Sequence, residues 1–380
     1  MLISLFATPF LFNNYTAIAS ENSNGNFDDA IENVISGIDE KEFEFITENI
    51  NNLFGENKSF KEIILSFITG ENGLNFDTLK SFISASYLPI LTDVLSIVFF
   101  VIFIGLSYSI LNIINYKKCD NTVNNIIYFI CYFTVVIVFS KLVSEVFNIG
   151  KTATENVNKI VEITFPIMIT LSEFSGGFGM GIYKPLAYVL TVISSEIVIN
   201  FFIPIFSICF ISVIIGNLSE NIKLSSLNKT LLTFIKWCVG ILTSIFSLVL
   251  AGQGLVNSQY NGISFKVLKY ATGSIIPIVG NFISGGLDVL LSSTVLVKNS
   301  IGIMAVICIL FCVLRAGITI LITSFIIKIA ISICEPVLDD KFIKLTGGVC
   351  EVFNVFTAVI FAIGFIFLIS YFAFINSTAL

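Results

Sequence analysis

Residues 301–334 read IGIMAVICILFCVLRAGITILITSFIIKIAISIC, 34 almost uninterrupted apolar residues with Arg315 in the middle. A bilayer hydrocarbon core of about 30 Å is crossed by about 20 consecutive apolar residues in a helix. The stretch therefore suits either one kinked pass or a tight hairpin that turns at Arg315. In both cases its backbone polar groups have to be satisfied within the segment, so it is helical.

The flanking sequence repeats this pattern. Downstream, a Glu335-Pro336 break and Asp339-Asp340-Lys341 lead into a last apolar run over 350–375. Upstream, residues 88–114 hold one charge, Asp93, near their start and end against Lys117 and Lys118. A second run covers 125–148 with Lys141 and Glu145 towards its end, and another covers 237–256 behind Lys223, Lys229 and Lys236. Residues 149–182 are mixed in character, contain Pro166 and a glycine-rich stretch from Gly176, and read as external. Residues 182–216 are again largely apolar, with Glu196 and Pro204 inside. As a straight helix they would reach about 52 Å, too far for one perpendicular pass, so a broken or tilted helix or a hairpin is expected. The expected fold is all-α and polytopic, with six or seven spans. The lysine clusters place their ends on the cytoplasmic side.

Composition supports that class. Hydrophobic residues make up 56% of the 380, charged ones only 12%, and phenylalanine occurs 39 times. Soluble domains carry about 25% charged residues. The mean hydropathy of +0.95 agrees. Charge is concentrated at the front, where residues 20–87 carry 13 acidic residues against 4 lysines, a local net of −9 within a total of −6. That balance excludes a nucleic-acid-binding face, which would have to be basic.

Three regions follow. Residues 1–19, MLISLFATPFLFNNYTAIA, have the apolar core and small residues of a secretory signal, although no lysine or arginine precedes the core. An uncleaved anchor or a misplaced start are the other readings. Residues 20–87 form an acidic, extracytoplasmic helical segment. Phe43, Ile46, Ile50 and Leu53 recur at helical spacing, and breaks at Asn24–Gly25 and Gly70–Gly73 separate short helices. So small a block is expected to pack on the membrane domain or on a partner. Residues 88–380 are that multi-pass domain.

Few residues carry chemistry. The chain has no histidine, which removes imidazole metal sites and histidine-based nucleophilic catalysis. Cys308 and Cys312 share a helix face but have no carboxylate cluster near them in sequence. No catalytic, cofactor-binding or metal-binding set is expected. What remains are charges inside apolar runs: Arg315, the single arginine, with Glu196, Asp93 and Glu351. A charge at helix centre costs about 2.5–3.5 kcal/mol on insertion scales, so these residues face protein, water or an interface. Glu196 is the natural counter-charge for Arg315. A second feature is the polar stripe Asn281, Ser284, Asp288 and Ser292, set within about 80° on a helix. It lines water, meets another subunit, or lies at the membrane surface.

The motif Tyr270-Ala-Thr-Gly273 into Ile276-Pro277-Ile278-Val279-Gly280, then Val295-Leu296-Val297-Lys298-Asn299 and Gly302, resembles the stage III sporulation protein AE family. Pro166-Ile167-Met168 leading to Ser175-Gly176-Gly177 fits the same resemblance, which covers residues 60–375. It implies a multi-pass component in the mother-cell membrane that faces the forespore, a channel or platform subunit of the stage III sporulation A complex. The implied partners are the other proteins of that complex, including a secretion-type ATPase and ring-forming subunits, together with a forespore membrane protein and the lipid bilayer. It implies a contribution to a secretion or feeding pore, homo-oligomerisation being open, and carries over no catalytic residue. A stand-alone secondary transporter of a small solute is the competing reading of the residues.

Overall fold

A computed structural model of the chain describes residues 25–69, 92–110, 121–174, 183–218, 224–260, 279–336 and 338–375. The signal-like residues 1–19 lie outside them. The described residues are helical and contain no strand. Helices α1 (Gly25–Ser36), α2 (Glu44–Phe54) and α3 (Phe60–Thr69) form the N-terminal group, with a 3-10 turn over Glu40–Phe43 ahead of α2. The membrane domain follows as α4 (Thr92–Ile110), α5 (Asn121–Phe174), α6 (Tyr183–Leu218), α7 (Ser225–Tyr260), α8 (Val279–Cys334) and α9 (Asp340–Ile375).

Six of these helices are long and apolar enough to cross a membrane. Among the described residues, 301–334 are part of one uninterrupted helix, α8, with Arg315 in its interior, so this run contributes one candidate span and not two. The hairpin turn at Arg315 is thus replaced by a continuous rod. The mixed stretch after residue 148 is likewise no separate loop, since α5 runs on through Pro166 to Phe174. With 54 and 56 residues, α5 and α8 are about 81 and 84 Å long, far beyond one bilayer core. The overlong 182–216 run is solved differently. α6 stays continuous but passes through a π-turn over Val198–Phe202, where the Ile203 N–H reaches the Val198 carbonyl. Pro204 lacks an N–H and its ring crowds the carbonyl four residues back, so the wider turn just before it takes up the misfit.

Side-chain contacts fix the packing. α8 and α9 are antiparallel: the Ser324 hydroxyl lies 2.9 Å from Asn354 Oδ1 near one end, and Lys298 Nζ lies 3.1 Å from the Phe374 carbonyl near the other. Between them the backbones come close. A methyl group added to Gly364 would sit 2.5 and 2.7 Å from the two γ-carbons of Val313, and one added to Gly317 would sit 2.5 Å from the Phe361 ring. Each glycine is the hole that receives the facing helix's knob. α5 runs parallel to α9, with Phe147 against Phe356 and Phe165 against Tyr371, and Thr164 hydrogen-bonded to Tyr371. α6 is antiparallel to α5: Tyr132 donates to the Ile214 carbonyl at 2.6 Å, and Ser195 to Asn158 Oδ1 at 2.7 Å.

The N-terminal helices follow their amphipathic pattern. Phe43, Ile46 and Ile50 are buried, while the acidic positions Glu44 and Glu48 are not. Asn51 clips α2 to the start of α3, donating to the Lys58 carbonyl and accepting its N–H. A capping box starts α3: Glu62 accepts the Ser59 N–H at 2.8 Å, and the carboxyl is held below its usual pKa by that bond. All three helices contact α8. Lys159 of α5 stands 5.6 Å over the Phe45 ring. The other end of α5 is marked by Lys341, 4.7 Å over the Tyr128 ring. Thirty-one residues of α5, about 46 Å, separate these contacts.

Candidate functional site

α5 carries two kinds of exposed surface in succession. Ile126, Phe129, Ile130, Phe133 and Ile137 point outward over its first turns. Beyond them the same side presents Lys141, Ser144, Glu145, Asn148, Thr152 and Asn156, spaced three and four residues apart and so on one face. These residues form one wall of a recess of about 1080 Å³. Asp93, Ser96 and Ile97 of α4 supply another wall, Cys312, Arg315, Ala316 and Thr319 of α8 the third, and Asn49 of α2 reaches in from the N-terminal group.

The recess gathers two cations, Lys141 and Arg315, and two anions, Asp93 and Glu145. Among the described residues none of the four makes an ion pair. All four are exposed to the recess or its mouth. Thr319 adds an unusual detail: only 1% of it is exposed, and its hydroxyl has no hydrogen-bond partner. A buried polar atom left unpaired costs about 1–3 kcal/mol, which a hydrogen-bonding group in the recess would offset. Hydrocarbon would be a poor occupant, since it would leave the charges unsolvated.

Of the charges singled out from sequence, Arg315 and Asp93 share this recess, while Glu196 and Glu351 do not. Glu196 is exposed on α6 and accepts a hydrogen bond from Asn200, one turn on. Arg315 therefore shares its site with Asp93 and Glu145 rather than with Glu196. Glu351 is exposed on α9. Of the polar stripe, Asn281, Ser284 and Asp288 fall in the first turns of α8, but their side chains lie outside the described residues. Ser292 is half-buried.

The sequence reading missed Lys141 and Glu145 as site residues, and with them Asn148, Thr152 and Asn156. Their three-and-four spacing along an otherwise apolar helix was the available signal. It also missed Lys298, which is completely buried and donates to the Phe374 carbonyl in the last turn of α9. Next to it Asn299 is 6% exposed, and both polar atoms of its amide lack a partner. Among the described residues no group of three His, Cys, Asp or Glu is assembled for a metal.

Comparison with known proteins places this architecture. No solved structure matches the chain. Stage III sporulation protein AE of Bacillus subtilis (strain 168) is 26% identical over 219 residues, covering 57% of the chain and 55% of that relative's length. The family model described as Stage III sporulation protein AE matches residues 58–378, which takes in α3 and all six membrane-spanning helices. The chain, a multi-span sporulation protein, belongs to the stage III sporulation protein AE family.

Proposed function

We propose that the protein is a membrane platform or channel subunit of the stage III sporulation A assembly, set in the mother-cell membrane that faces the forespore. It holds other subunits in place, among them a secretion-type ATPase and ring-forming proteins, and contributes to a secretion or feeding pore shared with a forespore membrane partner. In this reading the lysine-bearing end near Lys341 is cytoplasmic, and the N-terminal helices stand on the far side. The first turns of α8, which carry Asn281 and Ser292, then lie on that far side.

The observation that carries the reading is the length of α5 and α8. At about 81 and 84 Å they exceed a bilayer core by about 50 Å. The excess forms a rigid helical post beside α1–α3 and not a set of loops. On this post α6 turns Leu186, Val189 and Ile193 outward, at the level where Tyr188 packs 5.7 Å from Phe165 of α5. Exposed apolar side chains along a projecting helix suit docking of another protein.

Purification of the tagged full chain from sporulating cells, with identification of bound proteins, tests the proposal. Stoichiometric recovery of an ATPase and ring-forming subunits is expected, and Leu186→Glu with Ile193→Glu should remove at least one of them while leaving the chain in the membrane. Recovery of the chain alone, together with solute uptake by the purified protein in proteoliposomes, would overturn it in favour of a solitary transporter.

A further inference from the structure

The recess between α4, α5 and α8 does not end in polar surface. Ser96 also borders a second, shallower cavity of about 620 Å³, whose other lining residues are Leu95, Phe99, Phe100 and Phe103. All four are exposed. A polar compartment and an exposed apolar face of α4 thus meet at Ser96. The same change of character recurs on all three membrane helices at the recess. α4 passes from Asp93 to Phe99 and Phe103, α5 from Lys141 back to Ile137 and Phe133, and α8 from Arg315 to Leu321 and Phe325. The volume of the polar part, about 1080 Å³, is slightly above the range of ordinary organic-ligand sites, about 300–1,000 Å³.

The charges define what fits. Two cations and two anions line one space without pairing among themselves. An occupant with a single negative charge would satisfy Lys141 and Arg315 but sit against Asp93 and Glu145. A zwitterion meets both signs. Its phosphate would take the Arg315 guanidinium and the Lys141 ammonium, and its own ammonium the two carboxylates. Thr319, buried and without a partner, offers one further hydrogen bond from the back of the recess.

We propose that this recess is a specific site for a zwitterionic phospholipid of the phosphatidylethanolamine type, with the headgroup among Asp93, Lys141, Glu145 and Arg315 and an acyl chain along the exposed Leu95–Phe103 face of α4. The inference does not depend on the platform reading. It assigns the bound lipid a place where the N-terminal helices, through Asn49, meet the membrane domain, so that the lipid ties the two together.

The test uses the full chain exchanged into mild detergent, with retained lipid read by native mass spectrometry. The probes are phosphatidylethanolamine, phosphatidylglycerol, the chain-free headgroup glycerophosphoethanolamine, and inorganic phosphate. Wild type should retain one phosphatidylethanolamine and prefer it to phosphatidylglycerol by about tenfold or more. Arg315→Gln should weaken retention at least about tenfold. Asp93→Asn with Glu145→Gln should remove the preference and favour phosphatidylglycerol. Phe99→Ala with Phe103→Ala should weaken lipid binding while leaving the headgroup preference intact. Thermal unfolding of each variant in the same detergent shows that it is folded, and Arg315→Lys supplies a charge-conserving control. The proposal is overturned if no lipid is retained, if wild type prefers phosphatidylglycerol, or if the carboxylate variant keeps the wild-type preference. Binding of the chain-free headgroup or of phosphate as tightly as the whole lipid would overturn it in favour of a soluble anion.

Discussion

Substituting Gly364 by alanine should destabilise the membrane domain, although alanine is the better helix former. Gly364 lies on a stretch of α9 that packs tightly against α8. The new methyl would stand 2.5 and 2.7 Å from the two γ-carbons of Val313 and 3.0 Å from its β-carbon. Ordinary carbon contacts are about 3.5–4.0 Å, so about 1 Å must be found. Val313 cannot yield: it is 7% exposed and β-branched, with χ1 nearly fixed in a helix. The helices must separate instead, which costs about 1–3 kcal/mol as overpacking. Gly347 on the same helix is the matched control, because a methyl there meets nothing within 4 Å. Gly347→Ala should stabilise by about 0.5–1 kcal/mol through backbone entropy. Thermal unfolding in one detergent should therefore move the two midpoints in opposite directions. A Gly364→Ala, Val313→Ala pair should recover most of the loss beyond the cost of Val313→Ala alone, a coupling readable in a double-mutant cycle. Equal midpoints for Gly364→Ala and Gly347→Ala would refute the close packing of α8 on α9.

Two further outcomes follow from hydrogen bonds. Tyr132→Phe removes the 2.6 Å bond from a fully buried hydroxyl to the Ile214 carbonyl, and should lower stability by about 1 kcal/mol, read as a shift in the unfolding midpoint. Glu62, in the capping box of α3, has its carboxyl pKa lowered by the Ser59 N–H and hydroxyl from the ordinary value of 4.5. A lowered folded pKa means that the carboxylate stabilises α3 above 4.5, and that this contribution disappears as pH falls through the lower folded value. Circular dichroism of the full chain between pH 6 and pH 3 (about the range in which a carboxylate titrates) should show acid loss of helicity from this source, absent in Glu62→Gln. An identical acid transition in wild type and variant would refute the assignment.

Much of this molecule is legible in one dimension. The apolar runs identify the membrane helices, because a bilayer forces backbone hydrogen bonding inside each segment and leaves length and hydropathy as sufficient signals. The burial of Phe43, Ile46 and Ile50 was readable for a similar reason, helical periodicity. Arg315 and Asp93 were conspicuous because charges in apolar runs are rare. Lys141, Glu145 and Asn148 were less so, because they stand near the end of a run, where ordinary loop polarity is expected.

Sequence alone thus determined an all-helical, multi-span chain with an acidic amphipathic helical front and a lone arginine in a 34-residue apolar run. It did not determine that this run is a single rod, since helix or hairpin depends on what the chain packs against: α9 supplies a groove for α8 along the whole stretch from Lys298 to Ser324. Nor did it show which charges meet. Arg315 and Asp93 are 222 positions apart, and only the packing of α4 and α8 against α5 brings them to one recess with Lys141 and Glu145. Periodicity reports the face of a helix that is buried, but the partner of that face is a property of the assembled bundle.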